Sequence, residues 1–179
     1  MNSDTEHIKE LIQLSKKNNN RAQYELYNQY AKAMYNAALG ILKDPVLAEE
    51  AMQEGFITAF DKLDQYRSES RFGGWLKQII LRKSYEHYHK KHKWVHVEAD
   101  EFIEQEAPLT YDDTTTDARS KALHRALEKL NPTDQVLLKL YYLEGYDHSE
   151  IMEITQLSYA NCRTRLSRAK DRLKKLIVL

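Results

Sequence analysis

The chain has 179 residues, of which 42% are hydrophobic, 5 are glycine and 3 are proline. This length suffices for one ordinary domain or two small ones. The single cysteine, Cys162, excludes an intrachain disulfide framework and indicates a reducing compartment. We find no run of about 18 apolar residues and no basic flank or apolar core at the start. The sequence therefore predicts a cytoplasmic protein without a membrane span or signal peptide.

The charges of this chain cancel overall but not locally. Lys and Arg together number 27, and Asp and Glu together also number 27. The net charge is −3 over residues 1–65, +6 over 66–93, −7 over 94–119 and +4 over 120–179. Two basic blocks separated by an acidic one indicate two surfaces that face a polyanion.

Apolar residues at helical spacing predict four helices in the first half of the chain, at about residues 6–17, 21–42, 44–63 and 71–91. Asp44 and Pro45 are a typical N-cap and first helical position for the third helix. A loop at 66–71 precedes the fourth helix. Few glycines, few prolines and few alternating runs predict an all-α fold.

Residues 94–119 are acidic and aperiodic, which predicts a linker. Helical spacing resumes near Ser120, and Asn131 and Pro132 predict the cap and start of a further helix. We therefore expect two small helical domains, 1–93 and 120–179, joined by a flexible acidic linker at 94–119.

The last third of the chain predicts a helix-turn-helix. Asp147 and Glu150 have the spacing of a capping box, and Ser158 can cap the following helix after a tight turn. That second helix has one apolar stripe, made of Cys162, Leu166, Ala169, Leu173 and Leu176. Its basic residues are expected to face water or phosphate: Arg163, Arg165, Arg168, Lys170 and Arg172.

Two blocks of the sequence resemble one family. Residues 48–60, 66–71 and 72–79 look like region 2 of the extracytoplasmic-function (ECF) group of sigma-70 factors, and residues 127–132 with the helix-turn-helix look like region 4. The resemblance implies an alternative sigma factor that binds core RNA polymerase, directs it to promoters and melts the minus-ten element. It implies the polymerase clamp coiled coil, the flap and promoter DNA as partners, and an anti-sigma factor is common in the family. The chemistry belongs to the polymerase, so we expect neither enzyme activity nor a cofactor.

The resemblance also assigns residues to three contacts. Polymerase binding is implied for Glu49, Glu50, Met52, Gln53 and Phe56. Minus-ten binding is implied for the loop Tyr66, Arg67, Ser68, Glu69, Ser70 and Arg71, and for Trp75, Gln78, Arg82, Lys83, Glu86 and Lys90. Minus-35 binding is implied for Ser158, Tyr159, Asn161, Arg163, Thr164, Arg165, Ser167 and Arg168.

Four residues, in three places of the sequence, depart from the family pattern. Arg82 stands where the family often has Asn in the minus-ten helix, and Cys162-Arg163 stands where Val-Lys often opens the recognition helix. Promoter specificity is therefore not transferable. Gln156 stands where the turn often has Gly, which costs about 1 kcal/mol if the backbone is left-handed there.

Simpler interpretations of several residues stand beside these. Phe56 and Phe60 are typical core residues, and Cys162 is more typical of a small core residue than of a redox switch. The histidines His87, His89, His92 and His96 lack the spacing and partners of a metal site. A helix-turn-helix regulator that acts without polymerase is the alternative function. An enzyme is disfavoured because no nucleophile–base pair, P-loop or metal triad is found.

Overall fold

The computed structural model describes residues 3–67, 71–93, 123 and 125–177. In this part of the chain every regular element is helical, as the sequence predicts. The chain divides into two compact units. The predicted linker, residues 94–119, lies outside the described residues. The helices of the first unit are α1 (Ser3–Lys16), α2 (Asn20–Leu42), α3 (Pro45–Asp61), a 3-10 turn (Leu63–Gln65) and α4 (Phe72–Lys93). The second unit has α5 (Pro132–Leu138), a π-helical turn (Lys139–Leu143), α6 (His148–Thr155) and α7 (Tyr159–Ile177).

Side-chain caps fix where most of these helices begin. Asp44 accepts hydrogen bonds from the backbone N–H groups of Val46 and Leu47 at 3.1 and 3.3 Å, so it is the N-cap of α3 as predicted. Lys91 of α4 also lies 3.0 Å from the Asp44 carboxylate. This hydrogen bond and those of the backbone lower the pKa of Asp44. Asn131 caps α5 by accepting from Asp134 N–H at 2.9 Å. Each cap satisfies N–H groups that the first turn of a helix leaves without partners.

Helices α2, α3 and α4 form the core of the first unit. Its buried side chains include Leu26, Ala48, Phe56, Leu76 and Ile80. Gly55 of α3 packs directly on Ile80: an added Cβ there would lie 2.3 Å from Ile80 Cδ1 and 3.3 Å from Ile80 Cα. The missing side chain at Gly55 therefore sets how closely α3 and α4 approach.

The second unit is built around the apolar stripe of α7. Cys162, Leu166, Ala169 and Leu173 are buried as predicted, while Leu176 is half-buried. They pack in a core with Val136, Leu137, Leu140, Ile151 and Ile154.

We expect Gly55→Ala to destabilise the first unit by about 1–3 kcal/mol, because overpacking against buried Ile80 outweighs the gain in helix propensity. The matched control is Gly40→Ala in α2, where an added Cβ meets nothing within 4 Å. That change should stabilise by about 0.5–1 kcal/mol. Denaturant unfolding followed by tryptophan fluorescence measures both stability changes. The signal reports on the first unit, because both tryptophans, Trp75 and Trp94, belong to it. Equal effects of the two substitutions would contradict a contact set by Gly55.

Candidate nucleic-acid interface

The outer face of α3 carries three of the five predicted polymerase contacts. Glu49, Glu50 and Gln53 are exposed, and the Gln53 amide donates to the Glu49 carboxylate at 3.3 Å. Met52 and Phe56 face inward instead, with only 5% and 3% of their surface exposed. The available contact surface on α3 is therefore acidic and polar.

The two phenylalanines of α3 lie against aromatic neighbours in the first unit. The Phe56 ring is 4.8 Å from the Tyr27 ring of α2 and 6.0 Å from the Phe60 ring. Phe56 is buried and Phe60 is half-buried. The core interpretation of Phe56 is confirmed, and its position explains why it does not extend the surface of Glu50 and Gln53.

An aromatic cluster borders the loop at 66–71, for which minus-ten binding is predicted. The Tyr66 ring lies 5.5 Å from Phe72 and 5.3 Å from Trp75, and Tyr30 of α2 lies 5.4 Å from Phe72. Partial burial raises the pKa of Tyr66, and burial together with Tyr66 raises that of Tyr30. Because Tyr66 and Trp75 are only half-buried, the cluster offers ring surface at the edge of the loop.

The described residues include only the two ends of that loop. Arg67 and Arg71 are exposed on either side of it, and Ser68, Glu69 and Ser70 lie outside the described residues. The predicted contacts of these three residues therefore stay predictions.

The predicted minus-ten residues of α4 lie on an accessible side of that helix. Arg82 and Lys90 are exposed, and Gln78, Lys83 and Glu86 are half-buried. Arg82 Nε is 3.4 Å from Glu86 Oε1, and Lys83 Nζ is 3.3 Å from Glu86 Oε2. Two of the basic residues expected to bind DNA thus have an acidic partner on their own helix.

The recognition helix α7 and its start expose every predicted minus-35 residue. These are Ser158, Tyr159, Asn161, Arg163, Thr164, Arg165, Ser167 and Arg168. No described residue forms an ion pair with Arg163, Arg165 or Arg168. Unlike Arg82 and Lys83, these arginines are available to an external anion.

The helix-turn-helix formed by α6 and α7 has the predicted capping geometry. Asp147 accepts from the N–H groups of Ser149 and Glu150 at 2.7 and 2.9 Å, and the Glu150 carboxylate accepts from Asp147 N–H at 2.9 Å. Ser158 Oγ accepts from Asn161 N–H at 3.4 Å, a weak cap. Gln156 has φ of 58° and ψ of 21°, so its backbone is left-handed, the conformation that glycine adopts most easily. The side chain of Gln156 makes this conformation sterically costly.

Arg172 differs from the other basic residues of α7. Its side chain is 54% exposed, as predicted, but it also binds Asp134, the buried carboxylate at the start of α5. The Asn131 amide also donates to Asp134 at 2.8 Å. Arg172 lies ten residues or fewer from Arg163, Arg165 and Arg168 in sequence, so only the fold distinguishes its role. It ties α7 to α5.

The π-helical turn carries an exposed apolar patch that was not predicted from the sequence, formed by Tyr141, Tyr142 and Leu143. The ring of Tyr141 lies 5.0 Å from Tyr142 and 5.4 Å from His148, whose ring is 6.4 Å from Tyr159 of α7. The run of three large apolar residues was its only signal in the sequence. Exposed apolar patches of this kind are typical of protein contacts, and π-helical turns often occur at functional sites.

Cys162 lies on the buried face of the recognition helix. Its Sγ lies 3.9 Å from the His148 carbonyl oxygen, and burial raises the pKa of the thiol. A neutral, inaccessible thiol is a poor nucleophile. The interpretation of Cys162 as a small core residue is confirmed.

Comparison with known families agrees with this architecture. The model for sigma-70 region 2 matches residues 26–94, and that for sigma-70 region 4 matches residues 120–173. The chain is therefore built from the two conserved regions of sigma-70 factors. It belongs to the ECF group of that family.

Membership in the ECF group rests on sequence relatives. The ECF RNA polymerase sigma factor SigM of Bacillus subtilis (strain 168) is 30% identical over 156 residues, which cover 85% of this chain and 93% of SigM. The ECF RNA polymerase sigma factor SigW of the same organism is 23% identical over 178 residues, covering 94% of this chain and 95% of SigW.

Two solved structures share the fold. The sigma factor RpoE of Bartonella quintana, in complex with the anti-sigma factor NepR, has a TM-score of 0.57 and 21% identity, covering 87% of this chain and 96% of RpoE. CnrH, in complex with the cytosolic domain of CnrY, has a TM-score of 0.51 and 19% identity, covering 96% of this chain and 97% of CnrH. Separately, none of the described helices combines the length and apolar character needed to cross a membrane.

Removal of the Arg172 side chain should destabilise the second unit by about 1–3 kcal/mol, because Asp134 is left buried without its cation. The control is Lys174→Ala, which removes an exposed charge from the same helix. Hydrogen exchange of α5 and α7 amides in the full chain measures the local stability. If Arg172→Ala and Lys174→Ala have the same small effect, the pair with Asp134 contributes little.

Proposed function

We propose that this protein is an alternative sigma factor that binds core RNA polymerase, directs it to a restricted set of promoters and melts their minus-ten element. The observation that carries the proposal is the presence in one chain of both surfaces such a factor needs. The first unit has an acidic helix face beside an aromatic cluster and a basic helix. The second has a recognition helix whose Arg163, Arg165 and Arg168 pair with no described residue. A helix-turn-helix regulator that acts without polymerase needs only the second.

We assign polymerase binding in the first unit to the exposed face of α3, formed by Glu49, Glu50 and Gln53. These three side chains lie in the second and third turns of the helix, three or four residues apart, so they form one continuous polar surface. Met52 and Phe56 support this face from inside. In the second unit, the exposed patch of Tyr141, Tyr142 and Leu143 is the surface that suits a polymerase contact, and the flap is the partner implied by the family.

Promoter melting is assigned to the aromatic cluster and α4. Unpairing and unstacking a base costs a few kcal/mol, which ring surface and polar groups beside it can offset. Tyr66 and Trp75 supply ring surface at the loop, and Arg82 and Lys83 supply positive charge along α4. We expect the opened strand to run from the ring surface at the loop to the positive charges along α4.

The remaining assignments follow from this role. The domain boundaries are 1–93, 94–119 and 120–179, and the working place is the cytoplasm, where core polymerase is available. The protein performs no catalysis itself and needs no cofactor. An anti-sigma factor is a further partner.

Run-off transcription with core polymerase on a genomic library tests the function directly. The sigma-factor proposal expects discrete transcripts that appear only when this protein is added. Binding of the protein to promoter fragments in the absence of polymerase, without any change in transcripts started by core enzyme, would instead favour the helix-turn-helix regulator.

For the polymerase contact, we expect Glu50→Lys to weaken binding to core enzyme about tenfold or more, because it reverses a charge at the centre of the proposed surface. Glu10→Lys makes the same charge change at an exposed position of α1 and is the control. Titration of core enzyme gives the affinities, and circular dichroism verifies that both variants keep their helices. Unchanged affinity of Glu50→Lys would remove α3 from the interface.

For the minus-35 contact, we expect Arg163→Ala to weaken binding to duplex promoter DNA. If Arg163 binds a phosphate, the loss is uniform across sequences and the salt slope falls by about 1. If it binds a base edge, the variant loses about 1–3 kcal/mol of discrimination at one position. Lys175→Ala is the control, since this exposed residue lies about 18 Å further along the helix. A variant of Arg163 that behaves like Lys175→Ala would contradict the assignment.

A further inference from the structure

One carboxylate on α4 holds both basic residues that are proposed to bind the opened strand. Glu86 lies one turn after Arg82 and Lys83, and its two oxygens are divided between them. Oε1 is 3.4 Å from Arg82 Nε and Oε2 is 3.3 Å from Lys83 Nζ, with a hydrogen bond donated by Lys83. The same geometry, two oxygens across two cations, is what a phosphate would offer.

A second carboxylate reaches the same place from α3. Glu54 Oε2 lies 3.9 Å from Lys83 Nζ, and Glu54 Oε1 lies 3.2 Å from His87 Nε2. The His87 nitrogen makes no aligned hydrogen bond there, so its contact is one of proximity only. The neighbouring residue Gly55 packs against Ile80, and this packing fixes the distance from which Glu54 acts.

The recognition helix of the second unit has no such arrangement, since no described residue pairs with Arg163, Arg165 or Arg168. Basic residues of the two units therefore differ in availability although both units are proposed to bind DNA. The two units differ in whether their basic residues have acidic partners nearby, and not in how many basic residues they carry.

We propose that Glu86, assisted by Glu54, competes with DNA phosphate for Arg82 and Lys83 and so keeps the free protein from binding single strands indiscriminately. This inference rests on the proposed function, because it requires that Arg82 and Lys83 bind DNA. Glu86 is then a positioning residue: it aligns the two cations in the free protein and gives them up when a strand is delivered by polymerase. Exposed ion pairs are weak, so the competition filters weak, non-specific contacts and leaves a tight promoter complex able to form.

The test is the affinity of the full chain, without polymerase, for a fluorescent single-stranded oligonucleotide. Glu86→Gln keeps the size of the side chain and removes its charge. We expect it to bind about two- to fivefold more tightly at low salt. The gain should fade as salt rises, because screening shortens the reach of the lost repulsion. Glu54→Gln should give a smaller gain, since its contact with Lys83 is longer.

The chain offers a closely matched control. Glu25 of α2 is 40% exposed at its side chain, against 38% for Glu86, and it pairs with Arg21 four residues away at 3.3 Å. Glu25→Gln therefore makes the same change in net charge and breaks the same kind of pair on another helix. Thermal unfolding of the variants reports any change in stability, which by itself would not produce a salt-dependent gain in affinity.

Arg82→Gln and Lys83→Gln in the same assay separate this inference from the proposed function. If they weaken binding while Glu86→Gln equals Glu25→Gln, the competition is overturned and the DNA-binding role of α4 stands. If Glu86→Gln weakens binding, Glu86 contacts the strand itself and the competition is again overturned. If neither Arg82→Gln nor Lys83→Gln changes affinity, both the competition and the role of α4 in binding are wrong.

Discussion

The close packing of α3 on α4 is the constraint on which the first unit depends. Gly55 leaves no side chain where Ile80 of α4 lies, and the helices are so close that a Cβ added at residue 55 would be 3.3 Å from Ile80 Cα. This approach places Glu54 next to Lys83 and His87, and it leaves Glu49, Glu50 and Gln53 on the opposite, exposed side. The exposed acidic face of α3 is the proposed polymerase contact, and the basic residues of the neighbouring α4 form the proposed DNA contact. A larger residue at Gly55 would move both faces together.

The second unit solves a similar problem with polar contacts. Its helices α5 and α6 are short, with 7 and 8 residues, so they are too short to be stable alone. Caps at Asn131 and Asp147 satisfy their first N–H groups, and Asp134 joins α5 to Arg172 of α7. The apolar stripe of α7 covers the remaining core. The recognition helix is therefore attached to the core by its own buried residues Cys162 and Leu166, and near its end by the pair of Arg172 with Asp134. The outer side of its first turns stays exposed.

Local features of this fold could be predicted from the sequence, and features that depend on tertiary contacts could not. The caps at Asp44 and Asp147 and the stripe from Cys162 to Leu173 depend on spacings of three or four residues, which are written in the sequence. The inward direction of Met52 and Phe56 depends on where α2 lies, and the pairing of Arg172 depends on the distant Asp134.

Parts of the proposed site divide in the same way. A count of charges finds the basic block at 66–93, but it assigns Arg82 and Lys83 the same availability as Arg163. The pairing of Arg82 with Glu86 is an i, i+4 contact that the sequence permits, and the part played by Glu54 requires the α3–α4 packing. The π-helical turn has no sequence rule comparable to a cap. This turn follows directly after α5 and ends two residues before Gly145. The φ of Gly145 is 75°, a value that favours glycine.

Availability of cations, more than their number, distinguishes the two proposed DNA surfaces physically. Duplex DNA presents a dense, regular array of phosphates, so unpaired arginines on a helix in the groove gain immediately from counterion release. A single strand is flexible, and binding it before polymerase is present would be unproductive. Basic residues that are paired in the free protein respond only to a strand held close by, where several contacts form together and outweigh weak surface pairs. In the proposed competition, the arginines of α7, which pair with no described residue, bind duplex DNA before Arg82 and Lys83 exchange Glu86 for a strand.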